Sequence, residues 1–245
     1  MKSYRIATIP GDGIGVDVTI EARRVLDAVA ADRMRFEWTE FDWSCERYLR
    51  TGEMMPADGI AQMADFDAIL LGAVGFPGVP DHVSLWGLLI PIRRAFGQYV
   101  NLRPVRLLPG TVSPLRDRTA EDLDILIVRE NSEGEYSEIG GIHNAGHPDE
   151  FVLQESVFTR HGTDRVLKYA YELANSRERK LLTVATKSNG IAISMPWWDS
   201  RADAVGADYP AVKVDKQHID ILTARFVLQP QRFDVVAATN LFGDI

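Results

Sequence analysis

Short apolar runs alternate along this chain with longer stretches whose apolar residues recur at helical spacing. Residues 4–9 form an apolar run that predicts a buried strand entering Pro10-Gly-Asp-Gly-Ile-Gly15. Residues 16–30 follow with Val18, Ala22, Val25 and Val29 on one helical face. Residues 66–72 predict a second strand, which breaks at Gly72-Ala-Val-Gly75. Residues 76–84, with Pro77, Gly78 and Pro80, read as a loop. Residues 85–96 are apolar enough for a helix that Pro91 must start, kink or end. Residues 124–128, 181–185 and 233–238 predict further buried strands, whereas alternation over 151–157 predicts a strand with one wet face. Thr163 can cap a helix lasting to about residue 175, with Val166, Ala170 and Leu173 inward. Two more helices are expected over 191–205, which contains Pro196, and over 217–228, which Pro230 ends.

Strands alternating with helices predict an α/β architecture. There are no internal repeats or low-complexity tracts. Asn101-Leu-Arg-Pro104 breaks the pattern and sets a boundary near residue 100, dividing the chain into 1–99 and 100–245. A net charge of −8 argues against a generic nucleic-acid surface, so arginines that handle an anionic ligand must be concentrated locally. The single cysteine, Cys45, excludes an internal disulfide, fits a reducing cytoplasm and has no neighbour in sequence that would activate it. No stretch approaches a membrane span, so a soluble cytoplasmic protein is expected.

The candidate chemistry is spread thinly. The Gly11-Asp-Gly-Ile-Gly15 turn lies between strand and helix, where backbone amides can cradle an anion or where glycine simply permits a tight turn. Its spacing is one residue short of a dinucleotide fingerprint, and no acidic partner sits convincingly some twenty residues on. Arg93, Arg103 and Arg129 each sit at an element boundary, and planar guanidinium forks suit the carboxylates of a small diacid. Tyr136 and Lys187 each follow a strand at its carboxyl end, where ligand sites of open α/β sheets gather. A lysine there can serve as a base and a tyrosine as a proton donor. Asp220 and Asp244 are the carboxylates suited to a hard divalent cation. The five histidines form no zinc motif, and His143 and His147 read as solvated loop residues.

Six segments together closely resemble the β-decarboxylating dehydrogenases, the isopropylmalate/isocitrate dehydrogenase-like family. They are Ile9-Pro-Gly-Asp-Gly-Ile-Gly15, Leu71-Gly-Ala-Val-Gly75, Asn101-Leu-Arg-Pro104, Val128-Arg-Glu-Asn-Ser-Glu-Gly-Glu-Tyr136, Thr186-Lys-Ser-Asn-Gly190 and Asn240-Leu-Phe-Gly-Asp-Ile245. The wording of residues 186–199 and 215–220 is most similar to the tartrate/D-malate branch. The resemblance implies two α/β domains, not a Rossmann fold, with the active site between them and the first domain incomplete in this chain. It implies that Arg93, Arg103 and Arg129 hold a 2-hydroxy dicarboxylate, and that Asp220 and Asp244 bind Mg2+ or Mn2+. Lys187 is then base or base relay, and Tyr136 reprotonates the enolate. NAD would lie against Asn189 and the loop 72–84, which includes Gly72, Ala73, Val74, Gly75 and Ser84. Family members are homodimers that exchange the lysine and one aspartate, so Lys187 and Asp220 are expected to act in trans.

The family pattern continues past Asp244-Ile245 into a third metal aspartate and an adenosine loop, so the chain is expected to be a fragment that is inactive by itself. Relative to isopropylmalate enzymes, residues 84–93 carry one extra residue near Pro91. Two alternatives stay open at this point: a 3-isopropylmalate dehydrogenase, and a non-catalytic truncated subunit or dimerisation partner.

Overall fold

The N-terminal apolar run is longer than its hydrophobic centre: β1 spans Lys2–Gly11 and is the middle strand of a parallel three-stranded sheet. The computed structural model describes residues 1–245 and comprises two units, Met1–Phe96 and Gly97–Ile245. In the first, α1 (Ile14–Ala30) leads to β2 (Met34–Glu40), and α2 (Cys45–Thr51) and α3 (Gly59–Met63) precede β3 (Ala68–Ala73). The order is β2-β1-β3, over a core that includes Ile9, Trp43, Met63, Leu88 and Ile92. Strand β2 was not expected, although Met34, Phe36 and Trp38 alternate with polar residues.

The face that α1 turns inward is not the predicted one. Val18, Val25 and Val29 are 46%, 60% and 59% exposed, whereas Gly15, Thr19 and Ala30 are buried. Close approach explains the change. A Cβ on Gly15 would collide with the Pro10 carbonyl and the Ala73 amide, and one on Gly72 would meet Thr19 Oγ1. Small residues let helix and strands pack that tightly, so they take the inner face.

The expected loop 76–84 ends early. Its last residues form α4 (Asp81–Ser84), which runs through a π-helical turn, Leu85–Leu89, into α5 (Ile90–Ala95). Pro91 has no amide to donate and its ring disfavours an ordinary turn before it. The wider turn absorbs one surplus residue there, as π-bulges do.

In the second unit the elements are β4 (Val100–Arg106), β5 (Asp124–Glu130), β6 (Gly140–His143), β7 (Phe151–Gln154), α6 (Arg160–Ser176), β8 (Leu181–Thr186), α7 (Ser194–Gly206), β9 (Lys213–His218), α8 (Ile219–Leu228) and β10 (Val235–Ala238). Five strands form a sheet in the order β4-β5-β10-β8-β9, antiparallel only at β4. Pro104 is tolerated because β4 is an edge strand, where an absent donor costs no ladder bond. Several local expectations change. Gln217 and His218 belong to β9 rather than to the helix that follows. Thr159, not Thr163, caps α6 by accepting from the Gly162 amide at 3.0 Å; Thr163 is buried one turn on. The strand expected over 151–157 stops at Gln154 and pairs with β6 in a hairpin exposed on both faces. His143 lies in that hairpin, stacked on Phe151, rather than in a loop. No helix is long and apolar enough to cross a membrane.

Candidate active site

The parallel strands β5, β8 and β10 all end on the same side of the second unit's sheet, so the residues just past them gather at one edge. Arg129 is the penultimate residue of β5, and Arg103 lies on the neighbouring β4 opposite Ile127. Asp244 follows the tight turn after β10. Its carboxylate takes Arg103 Nη2 on one oxygen at 3.0 Å, and Arg129 Nη2 at 2.5 Å with the Tyr136 hydroxyl at 3.1 Å on the other. Arg129 is 5% exposed and must be fully engaged. It also donates from Nε to the Asn240 carbonyl at 2.8 Å and from Nη2 to Asn240 Oδ1. A side chain at Gly243 would strike Arg129, which explains the glycine there. Two of the three candidate arginines thus converge on one carboxylate. Burial, and then the hydrogen bond to Asp244, push the Tyr136 hydroxyl above its ordinary pKa, so it stays protonated.

A second cluster stands at the end of β8. Lys187, the first residue after the strand, reaches Asp220 in the first turn of α8, Nζ to Oδ2 at 2.9 Å. That bond holds the Asp220 carboxyl below its usual range. The Lys187 carbonyl accepts from the Gly190 amide at 2.9 Å, closing a turn that leaves Asn189 exposed.

Within the chain, no three carboxylate, histidine or cysteine side chains form a metal-binding group. Asp244 belongs to the arginine cluster and Asp220 to the lysine. Both are carboxylates on partly exposed side chains, 34% and 64%, so the donor chemistry suits Mg2+ or Mn2+. One chain provides the ligands in two separate parts.

The first unit contains the remaining candidates. Gly72 and Ala73 end β3, Val74 follows, and Gly75 has a φ of +154°. Asp12, inside the glycine turn, is buried and binds amides from outside that turn. Its carboxylate accepts from the amides of Cys45 (3.0 Å), Glu46 (3.1 Å) and Gly75 (3.1 Å), tying β1, the start of α2 and the 72–75 loop together. Cys45 is fully buried, and burial with the Asp12 hydrogen bond raises its thiol to about 11. It is an inert core residue. Ser84 is buried and donates to the Asp81 carbonyl at 3.0 Å. Arg93 is half-buried on α5.

Sequence reasoning missed the three glutamates that shape the Arg129–Tyr136 loop. Glu130 folds the loop on itself by accepting from the Ser132 and Glu133 amides. Glu133 accepts from the Thr159 amide and hydroxyl, fixing the cap of α6. Glu135 reaches the turn after β10, accepting from Thr239 Oγ1 and the Leu241 amide. The motif had displayed all three, but only as flanks of Tyr136. A cavity of about 250 Å3 has Arg103 and Asp244 at its polar end and Ile127, Leu222, Phe226 and Phe242 among its lining. A larger groove of about 680 Å3 lies between α6 and α7; Arg160 and Arg201 in its lining both pair with Asp164, and it contains none of the candidate residues.

The chain is 60% identical to the D-malate dehydrogenase [decarboxylating] of Escherichia coli (strain K12), across 100% of its own length and 69% of that protein. It is 59% identical to the tartrate dehydrogenase/decarboxylase of Pseudomonas putida, across 99% of its length and 68% of that protein. Among solved structures, isocitrate dehydrogenase from Methylococcus capsulatus matches 98% of this chain and 68% of that one, with a TM-score of 0.83 and 26% identity. A β-decarboxylating dehydrogenase from Thermococcus kodakarensis matches 98% of this chain and 65% of that one, with a TM-score of 0.73 and 32% identity. The profile of the isocitrate/isopropylmalate dehydrogenase family matches residues 5–245, and the chain belongs to that family.

Proposed function

We propose that this protein oxidises a small 2-hydroxy dicarboxylate, D-malate or tartrate, with NAD and a divalent cation, and that D-malate is decarboxylated to pyruvate and CO2. The observation that carries this reading is the convergence of Arg103, Arg129 and the Tyr136 hydroxyl on one carboxylate. Such a cluster is suited to a substrate carboxylate beside a proton donor. The relatives' names supply the substrate class.

NAD would supply the hydride acceptor, and a cation held by Asp220 and Asp244 would supply Lewis acidity at the substrate hydroxyl and at the developing enolate. The chain's own groups do the rest. Arg93, Arg103 and Arg129 bind and orient the diacid. Lys187 takes the hydroxyl proton, directly or by relay, as hydride leaves the same carbon. The ketone formed is β to a carboxylate, so the C–C pair passes into an enolate as CO2 departs. Tyr136 then delivers its proton to the enolate carbon. On this reading the first unit is the cofactor side, through Gly72–Gly75 and Ser84, and Asn189 lies at the nicotinamide end.

The active form is a cytoplasmic homodimer in which Lys187 and Asp220 come from the partner. Two features support it. The lysine cluster and the arginine cluster are separate in the chain, and the β6–β7 hairpin exposes Ile142, Val152 and Leu153 (63%, 64% and 49%). A bare two-stranded hairpin is marginal in water and needs a surface to cover it.

The direct test, on the protein completed with the third metal aspartate and the adenosine loop of the family pattern, is NADH formation from D-malate, tartrate and 3-isopropylmalate, with Mn2+ and with EDTA. Turnover of D-malate or tartrate that EDTA abolishes is expected. Turnover of 3-isopropylmalate alone would replace the substrate assignment, and EDTA-resistant activity would remove the metal.

A further inference from the structure

We infer that Glu135 is a positioning residue, holding the turn that carries Asp244 in place while Arg129 binds substrate; this rests on the proposed function. The turn over residues 239–244 is held from two sides. On one side Arg129 donates to the Asn240 carbonyl, to Asn240 Oδ1 and to Asp244. On the other, the Glu135 carboxylate accepts from Thr239 Oγ1 at 2.7 Å and from the Leu241 amide at 3.0 Å. It therefore grips the residues before and after Asn240 while touching neither Asn240 nor Asp244.

These bonds reach the base of the turn. Thr239 is fully buried, and its Oγ1 accepts from the Phe242 amide at 3.3 Å while donating to Glu135. The Thr239 and Leu241 carbonyls then accept from the amides of Gly243 and Asp244, at 2.9 and 3.0 Å. The path from Glu135 to the Asp244 backbone is thus a short series of hydrogen bonds.

The two grips differ in what else they must do. An Nε–H or Nη2–H that Arg129 gives to a substrate carboxylate is withdrawn from the turn. Glu135 has no such competing partner. It also precedes Tyr136 directly, so the carboxylate that fixes Asp244 is joined through one peptide bond to the proposed proton donor. Glu135 therefore sets the spacing between acid and metal ligand.

The test compares Glu135→Ala, Glu135→Gln and Thr239→Val with the parent protein. Mn2+ affinity is read from the EPR signal of free Mn2+, NADH affinity from its fluorescence, and protection of the Leu241 amide from hydrogen exchange without metal. Glu135→Ala should weaken Mn2+ binding about tenfold, the scale for groups that orient metal ligands, and leave NADH binding within about twofold. Glu135→Gln, which keeps one acceptor, should fall between. Thr239→Val should weaken Mn2+ binding less in the Glu135→Ala background than in the parent. Unchanged Mn2+ affinity in Glu135→Ala, or equal losses for Mn2+ and NADH, would overturn the role. A parent that binds no Mn2+ would instead overturn the proposed function. The exchange measurement still decides whether Glu135 holds the turn: lost protection at Leu241 supports it, and unchanged protection refutes it.

Discussion

Asp244 has three donors on two oxygens, and they differ in what they can give up. Arg103 and Asp244 are both about a third exposed, so their pairing is worth on the order of 1 kcal/mol at most. Arg129 is almost wholly buried, and stripping a partner from such a charge costs about 3–5 kcal/mol. Arg103 is thus the adaptable fork, whereas Arg129 is a fixture that must always be satisfied. Tyr136, kept protonated by burial and by Asp244, differs from both because it can lose its proton and recover it. Tyr136→Phe should therefore leave the substrate KM near the parental value but lower kcat by roughly 10²-fold or more, the usual weight of a general acid. Steady-state NADH formation from D-malate checks this, and a variant with parental kcat would remove Tyr136 from proton transfer. Because the shift is upward, ionisation of Tyr136 should not limit activity below its ordinary pKa of about 10.

At the scale of elements, the sheet of the second unit depends on one arginine. Arg177, just past α6, joins Asp234 before β10 to Asp124 at the start of β5, the latter at 2.8 Å. Asp234 is fully buried, so Arg177→Met leaves a carboxylate unpaired in the core. It should lower stability by about 3–5 kcal/mol, measurable as a fall in the urea midpoint. The same contact has a pH signature. Burial alone would raise the Asp124 carboxyl, but hydrogen bonds from Arg177 and Arg106 outweigh it and hold the folded pKa down. A depressed carboxyl stabilises the fold above its unfolded pKa of about 4 and loses that contribution as pH falls through the folded value. The parent's urea midpoint should fall below about pH 4, and Arg177→Met should show a shallower fall.

Which elements could be read in advance follows from where they lie in the sheets. The strands β1, β5, β8 and β10 are buried on both faces, and their continuous apolar runs announced them. Edge strands carry less signal. Lys213–His218 is polar at five of six positions, and Val100–Arg106 contains Pro104, so neither β9 nor β4 stands out as a strand. The inward face of α1 was misjudged for another reason. Periodicity marks apolar residues, whereas this contact needed small ones, and only the approach of Gly15 to Pro10 and Ala73 reveals that.

For the whole molecule, the motifs named the site residues more readily than they explained them. Arg103, Arg129, Tyr136 and Asp244 stood out by type and position. The work of Asp12 and Glu135 could not be read, because each acts through backbone amides distant in sequence. The site also appears in two parts, with Lys187 and Asp220 apart from the arginine cluster, and the proposed dimer joins them across subunits. Mixing two inactive variants tests this. Lys187→Met and Tyr136→Phe, each nearly inactive alone, are combined, allowed to exchange subunits and assayed with D-malate and Mn2+. Random exchange makes half of the dimers hybrid, each with one intact site of two, so activity should return to about a quarter of the parental level. If subunits demonstrably exchange and activity stays at the level of the separate variants, Lys187 and Tyr136 do not meet across the dimer, and the account is wrong.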